Sequence, residues 1–469
     1  MVRLVNHPRP RLVVIGLDSV APWVLFERFL PWMPRMRQIL SHSRYGTLTS
    51  IDPPITVPAW AVMFSGADAG TLGLYGFRHR RPGTYFDQYL PTSRSLREPM
   101  VWDHLSRVGR RVCVIGMPPG FPPPHINGVY VSDFLTPEGG AEYVYPPSLQ
   151  PELDRLTGGY PFDVRFRADD RERVGRELIE MTRKHFAVAR HLWAKEAWDF
   201  FALHEIGPDR IHHAFWKFID PRHPRFEDNS ALRSLAEEYY ARLDEEIGAL
   251  LDLVGPEAQV LFVSDHGSQR MLGCFCINDW LLQQGHLTLQ GPRPTAGTAL
   301  EDTSVDWART RAWAAGGYYA RIFLNIKGRE PNGILTPDQA ESFRVHLTDE
   351  LAAVRAPGGG SLGAKVLLPR EIYREVRGDA PDLMVYFGDL SWRSAGTVGH
   401  SALFLDENDT GPDDSVHSFD GVYVVTSPAS GATGLGSPAS LIDIGPTILA
   451  AFGLPNPPHL VGRPIAGFL

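Results

Sequence analysis

The chain has 469 residues, with 46 Lys+Arg against 54 Asp+Glu and a formal net charge of −8 with His neutral. Hydrophobic residues make up 43% and charged residues 21%, the balance of a globular protein long enough for about three domains or one large α/β core with insertions. The acidic balance argues against a nucleic-acid binder, and a core of this size needs no metal or disulfide to fold, so a metal here would serve chemistry.

Three cysteines, Cys113, Cys274 and Cys276, are too few for a disulfide framework or a Cys-rich zinc site. They are expected as reduced thiols. No apolar run reaches the ~18–20 residues of a membrane span. From Arg11 the chain moves straight into an apolar strand, with no signal peptide expected before it. The expected location is the cytoplasm.

In chain order, the short apolar runs Leu12–Ile15, Val112–Ile115, Phe200–Leu203, Val260–Val263, Leu383–Tyr386 and Val422–Val425 are predicted as buried strands. Helical patterns lie between them, notably Arg171–Ala197 and Ser230–Val254. This alternation predicts an α/β fold with a largely parallel sheet and helices on both faces. A Gly-, Arg- and Tyr-rich stretch over Gly66–Pro99 interrupts the rhythm. So does Met271–Arg370, with its own strand (Ala320–Ile326) and helix (Pro337–Ala353). The expected division is a core over 1–270 and 371–469 and an inserted smaller α/β subdomain over 271–370, overhanging the site. Pro118–Pro124, Ala356–Gly363 and Ser427–Ser437 are expected loops.

In parallel sheets ligands bind at the carboxyl ends of strands. The first strand is followed by Gly16-Leu17-Asp18. Phe200–Leu203 is followed by His204-Glu205, Asp209, His212 and His213. Val260–Val263 is followed by Ser264-Asp265-His266-Gly267, and His417 precedes Val422–Val425. Singly, such an Asp is a turn former or a cap, and such a His is packed or solvated. Together, Asp18, Asp209, Asp265, His213, His266 and His417 form a mixed carboxylate and imidazole set. That set suits zinc, with manganese or iron as alternatives, and six ligands suit two divalent metal ions. Asp209 and His213 are four apart and share a helix face.

Thr56 lies where Ile51-Asp52-Pro53-Pro54-Ile55 turns into an apolar helix, Ala59–Phe64. A helix N-terminus favours an anion, and a metal on the Thr oxygen would make it a nucleophile. Taken alone, Thr56 reads as an N-cap. Trp60 and Phe64, four apart, read as core.

Four features in order carry a resemblance: Gly16-Leu17-Asp18, Pro53-x-x-Thr56-x-Pro58, Asp209-x-x-x-His213 and Ser264-Asp265-His266-Gly267. The tail Leu441–Leu449, with Gly453-Leu454-Pro455 and Gly462-Arg463, is a fifth. The chain resembles the alkaline phosphatase superfamily, in its type I phosphodiesterase/nucleotide pyrophosphatase branch. The resemblance implies a three-layer sandwich and a phosphohydrolase acting on a small-molecule phosphate ester, with no nucleic-acid polymer or membrane as partner. It implies one metal on Asp18, Thr56, Asp265 and His266, a second on Asp209, His213 and His417, and a covalent phospho-threonine on Thr56.

His400 rivals His417 as the last ligand; the related pattern, a ligand shortly before Gly and an apolar strand, favours His417. His212 rivals His213, and the D-x-x-x-H spacing selects His213. Nucleotide pyrophosphatases carry an Asn downstream of the nucleophile. The comparable stretch Gly73–Arg81 has none, which leaves Arg78 or His79 to contact the phosphate. Arg80 and Arg81 read as a solvated basic loop, and Asp409–Asp414 as an acidic turn. Sulfatases need Cys or Ser before Pro-x-Arg, which is absent at Thr56-Val57-Pro58-Ala59-Trp60. A phosphodiesterase is the first reading. A phosphomonoesterase or phosphomutase on the same fold, or a non-catalytic scaffold, are the alternatives.

Overall fold

The central strand, Leu12–Leu17, is buried at all six positions in this computed structural model, which describes residues 11–137, 139, 141–426, 431–458, 460–465 and 467–468. Side chains alternate along a strand, so Val13, Ile15 and Leu17 enter one core while Leu12 and Val14 enter another. Neither face meets water, so the run is continuously apolar. Phe200–Glu205 and Gln259–Val263 flank it in parallel, and Val112–Ile115 and Gly128–Val131 extend the parallel block. Asp420–Thr426 runs antiparallel to both Gln259–Val263 and Ser43–Thr49. The result is a ten-stranded, largely parallel sheet.

Helices Arg171–Lys195, Gly207–Ile219 and Ser230–Val254 cover one face through residues such as Leu178, Phe215 and Leu243. Thr56–Ser65, Val101–Arg107 and Ile444–Ala451 cover the other through Trp60, Leu105 and Ile448. This is the expected three-layer α/β sandwich. The two long helices start where their sequence supplies a cap. Asp170 accepts a hydrogen bond from the Arg173 N–H and Asn229 from that of Leu232. Ser230–Val254 ends before Gly255, whose φ of 72° lets the chain leave the helix.

A second sheet of four antiparallel strands comprises Ala312–Ala315, Ala320–Leu324, Leu383–Tyr386 and Lys365–Leu367. Helix Pro337–Ala352 shares its core through Ala340, Phe343 and Leu347. Leu383–Tyr386 is therefore not a strand of the central sheet, as its burial pattern had suggested. A division at Arg370 would cut this smaller sheet. A short apolar run announces burial without saying in which sheet.

All three cysteines are free and buried. Among the described residues no helix is long and apolar enough to cross a membrane. Residues 1–10, and 427–430 of the expected loop Ser427–Ser437, lie outside the described residues.

Candidate active site

The site is assembled at the carboxyl ends of the central parallel strands. Asp18 follows Leu12–Leu17 directly, and its N–H donates to the Glu205 carbonyl at the end of the neighbouring strand. Asp209 and His213 stand one turn apart on the helix Gly207–Ile219, which leaves the strand Phe200–Glu205. Asp265 and His266 occupy the turn between Gln259–Val263 and Gly267–Arg270. His417 lies on Ser415–Ser418, antiparallel to Gly267–Arg270 with His417 opposite Ser268. Ser19 adopts φ 65°, unusual for a residue with a Cβ; its N–H donates to Asp265 Oδ1 at 3.1 Å and so ties the two strand ends together.

Thr56 is the first residue inside the helix Thr56–Ser65. Ile55 is the N-cap, with no side-chain capping bond. The Thr56 hydroxyl is thus free of the capping role, and its Oγ1 lies 3.3 Å from His266 Nε2. Gly16 permits this placement: a Cβ there would stand 2.6 Å from the Trp60 ring, so only glycine lets the helix close onto the strand.

Two groups of potential ligand atoms result, Asp209/His213/His417 and Asp18/Asp209/His266, each with its atoms within 4.8 Å of one another and all residues buried. Asp209 belongs to both. Asp265 Oδ2 lies 3.0 Å from His266 Nε2. Asp18 Oδ1, Asp209 Oδ1, Asp265 Oδ2 and His417 Nε2 are buried without a hydrogen-bond partner. An orphaned buried carboxylate oxygen costs about 1–3 kcal/mol or more. Three such carboxylate oxygens and one imidazole nitrogen, gathered at the ends of the central strands, are the signature of a site built for cations. The donor set, carboxylate oxygen and imidazole nitrogen without thiolate, fits transition-metal ions.

The charges are mutually dependent. Burial alone would raise Asp209, but His213, Arg210 and His417 outweigh it and hold it well below the carboxylate range. Burial, with Asp18 adding to it, pushes Asp265 up to about 6. Burial and the neighbouring His266 keep His417 well below its ordinary value, hence neutral, the form a metal ligand needs.

The family described as type I phosphodiesterase/nucleotide pyrophosphatase matches residues 12–418. The chain belongs to that family. It is a hydrolase of phosphoric ester bonds with the fold of the alkaline phosphatase superfamily. Among solved structures it is similar to phosphonoacetate hydrolase from Sinorhizobium meliloti 1021 in complex with phosphonoformate, at TM-score 0.60 and 16% identity over 95% of this chain and 96% of that one. It is also similar to murine ectonucleotide pyrophosphatase/phosphodiesterase 5, an inactive form in complex with AMP, at TM-score 0.55 and 12% identity over 96% of each chain. The human counterpart gives TM-score 0.56 at 12% identity over 96% of each chain. No curated protein matches the sequence.

Several residues of this phosphodiesterase-family site escaped the sequence reading. Asp413, expected only as part of an acidic turn, is buried and places Oδ1 2.6 Å from His213 Nδ1. Tyr318 stacks on His417 with centroids 3.7 Å apart, and its hydroxyl lies 3.1 Å from His213 Nε2. Trp60 is core, as expected, yet its Nε1–H also donates to Asp18 Oδ2 at 2.9 Å. His204 Nε2 meets the same oxygen at 2.7 Å and so supports it from the other side. The one signal for Asp413 was an acidic pair just before the strand carrying His417. Tyr318 left no signal, because it arrives from the small sheet.

The rival histidines lie apart. His212 joins Ser268 Oγ and Tyr240 OH, and His400 joins Thr397 in a separate Cys276/Asp279/His400 group. Arg78 is exposed and lines a cavity beside the site. His79 turns inward instead: its Nε2 accepts the Tyr75 N–H at 2.8 Å. Arg80, expected in solvent, is buried against Asp379 and Glu330, whereas Arg81 is exposed beside Asp87.

Burial pushes His79 down to about 3. Folded His79 is therefore neutral at pH values where the unfolded chain binds a proton. Its contribution to stability is fully present above about pH 6.5 and is lost as pH falls toward 3, roughly 5 kcal/mol in all. His79→Gln keeps an acceptor for Tyr75 and removes the titration. Urea denaturation should show a shallower loss of stability between pH 6.5 and 4 in the variant. Parallel curves would refute the assignment.

Proposed function

We propose that this chain is a metal-dependent phosphodiesterase that works through a covalent phospho-threonine on Thr56. The observation that carries the reading is the Thr56 hydroxyl standing at a cluster of orphaned carboxylate and imidazole atoms. Asp18, Thr56, Asp265 and His266 would hold one metal ion, zinc or alternatively manganese or iron. Asp209, His213 and His417 would hold a second. Bound there, the ions supply Lewis-acid stabilisation of phosphoryl oxygens and lower the pKa of the Thr56 hydroxyl.

The remaining work belongs to the chain. The Thr56 and Val57 N–H groups at the start of Thr56–Ser65 lack intrahelical acceptors and favour a phosphoryl oxygen, whereas Pro58 has no N–H and the Ala59 N–H donates to the Ile55 carbonyl. Thr56 Oγ attacks phosphorus, the bond to the leaving oxygen breaks, and the leaving group departs protonated. Water then cleaves the phospho-threonine and restores the hydroxyl. Trp60 and His204 hold Asp18 by Oδ2 and so leave Oδ1 free. Asp413 orients the His213 ring. Asp413→Ala should weaken metal binding about 10–100-fold with the fold retained, measured by metal titration against a chromogenic chelator. Wild-type affinity in that variant would remove Asp413 from the site.

The structural neighbours' complexes with phosphonoformate and AMP support a small-molecule substrate. Three free buried thiols support a reducing, cytoplasmic setting, which cell fractionation checks.

The deciding experiment compares kcat/KM for an aryl phosphate diester and the matching monoester, in metal-depleted protein and after zinc or manganese is restored. The expected result is metal-dependent turnover with the diester preferred. Preference for the monoester would move the chain to the phosphomonoesterase or phosphomutase reading. Neither metal uptake nor turnover would leave a scaffold.

A further inference from the structure

A cavity of about 360 Å³ adjoins the site, and its walls carry cations without counter-charges. Arg78 and Arg321 both line it. Neither forms an ion pair with a carboxylate among the described residues; Arg321 donates to the Arg78 carbonyl oxygen. Arg321 is half-buried, and desolvating a guanidinium without a counter-ion is expensive. Burial and the neighbouring Arg78 both work against its charge, with Tyr319 only partly offsetting them. Arg393, also on the wall, is buried and spends one nitrogen on Asp413 at 3.0 Å, while its Nε has no hydrogen-bond partner.

The pattern is local. Arg80, on the same wall, is matched by Asp379 and Glu330. Two acidic residues stand on the wall: Asp409 already accepts from the Thr397 hydroxyl at 2.8 Å, and Glu301 is exposed and forms no ion pair with Arg78 or Arg321 among the described residues. The cavity also reaches the chemistry. Gly317 lines it, and the next residue, Tyr318, touches His213. The Arg393 guanidinium lies 4.3 Å from the centre of the Tyr318 ring. Arg393 also links this wall to the candidate ligands through Asp413, which meets His213.

We infer that this cavity is an anion subsite, in which Arg78, Arg321 and the Arg393 Nε receive a carboxylate or phosphate on the part of the substrate that is not attacked. Guanidinium matches either anion in geometry and charge. Naming the occupant a substrate rests on the phosphodiesterase reading; anion binding at the cavity does not.

The test uses metal-loaded, full-length protein and two aryl diesters that differ only in the second ester group, methyl or 2-carboxyethyl. The carboxyethyl ester is expected to have about a tenfold or larger advantage in kcat/KM. That ratio should fall toward one in Arg321→Met and drop in Arg78→Met, an exposed position where folding is not at risk. A ratio near one in the wild type, or an unchanged ratio in both variants, would overturn the inference. Should neither ester turn over, the phosphodiesterase reading fails, and calorimetry still reads the subsite. Benzoate or phenylphosphonate should bind wild type and bind about tenfold more weakly to Arg78→Met. Binding of neither probe, or equal binding to both proteins, would overturn it. The tighter of the two probes tells carboxylate from phosphate.

Discussion

Thr56→Ala should lower kcat by about 10,000-fold or more while metal content and melting temperature stay close to wild type. The residue is buried at the start of its helix, and its side chain makes no capping bond. Alanine suits that backbone and removes only a hydroxyl and a methyl group. The fold therefore loses little. In the proposed mechanism the chemistry loses its attacking atom, while the carboxylates and imidazoles remain to hold metal and the helix N–H groups to bind substrate. A burst of aryl product before steady state, present in wild type and absent in the variant, would tie the loss to the covalent step. Retained turnover in metal-replete Thr56→Ala protein would exclude the mechanism.

Asp209→Ala should be the most damaging change to metal content. Asp209 alone belongs to both groups of ligand atoms, with Oδ1 3.3 Å from His213 Nε2 and 3.8 Å from His417 Nε2. Removing it takes a negative charge from between His213, His417 and His266 and leaves their approach to one another uncompensated. His417→Ala touches only one group. Metal analysis after dialysis is expected to show about half the wild-type amount in His417→Ala and less than half in Asp209→Ala, whose carboxylate holds the second ion and also stands beside Asp18 and His266 of the first, with kcat/KM down by about 1,000-fold or more in the latter. The helix itself should persist, because Arg210 keeps its second partner, Asp163, at 2.7 Å. Full metal content in Asp209→Ala would show that the two groups do not share this carboxylate.

The candidate ligand residues could be picked out because each follows from a local rule: a carboxylate or imidazole just beyond a buried strand, or four residues along a helix. What lay beside them could not. Asp413 reads as a turn former, and only the pairing of Ser415–Ser418 with Gly267–Arg270 brings it under His213. Arg80 sits among arginines that look solvated, and its burial depends on Glu330 and Asp379 from far along the chain. His79 and Arg78 are adjacent in sequence, yet the short hairpin of His79–Arg80 with Gln88–Tyr89 turns one inward and leaves the other at the cavity.

The sequence by itself determined the layered α/β class, the positions of the strands and long helices, and the family. Those properties rest on side-chain periodicity, caps and short motifs, which act over a few residues. It also singled out the histidines, selecting His213 over His212 and His417 over His400, because their motifs are local. Tertiary structure decided which sheet Leu383–Tyr386 joins, that Thr56 stands inside its helix rather than capping it, and which side chains orient the ligands. It also placed Tyr318 against His213 and His417, and left Arg78 and Arg321 without counter-charges. Those outcomes depend on contacts between residues tens to hundreds of positions apart, and no local pattern encodes where two distant strands will meet.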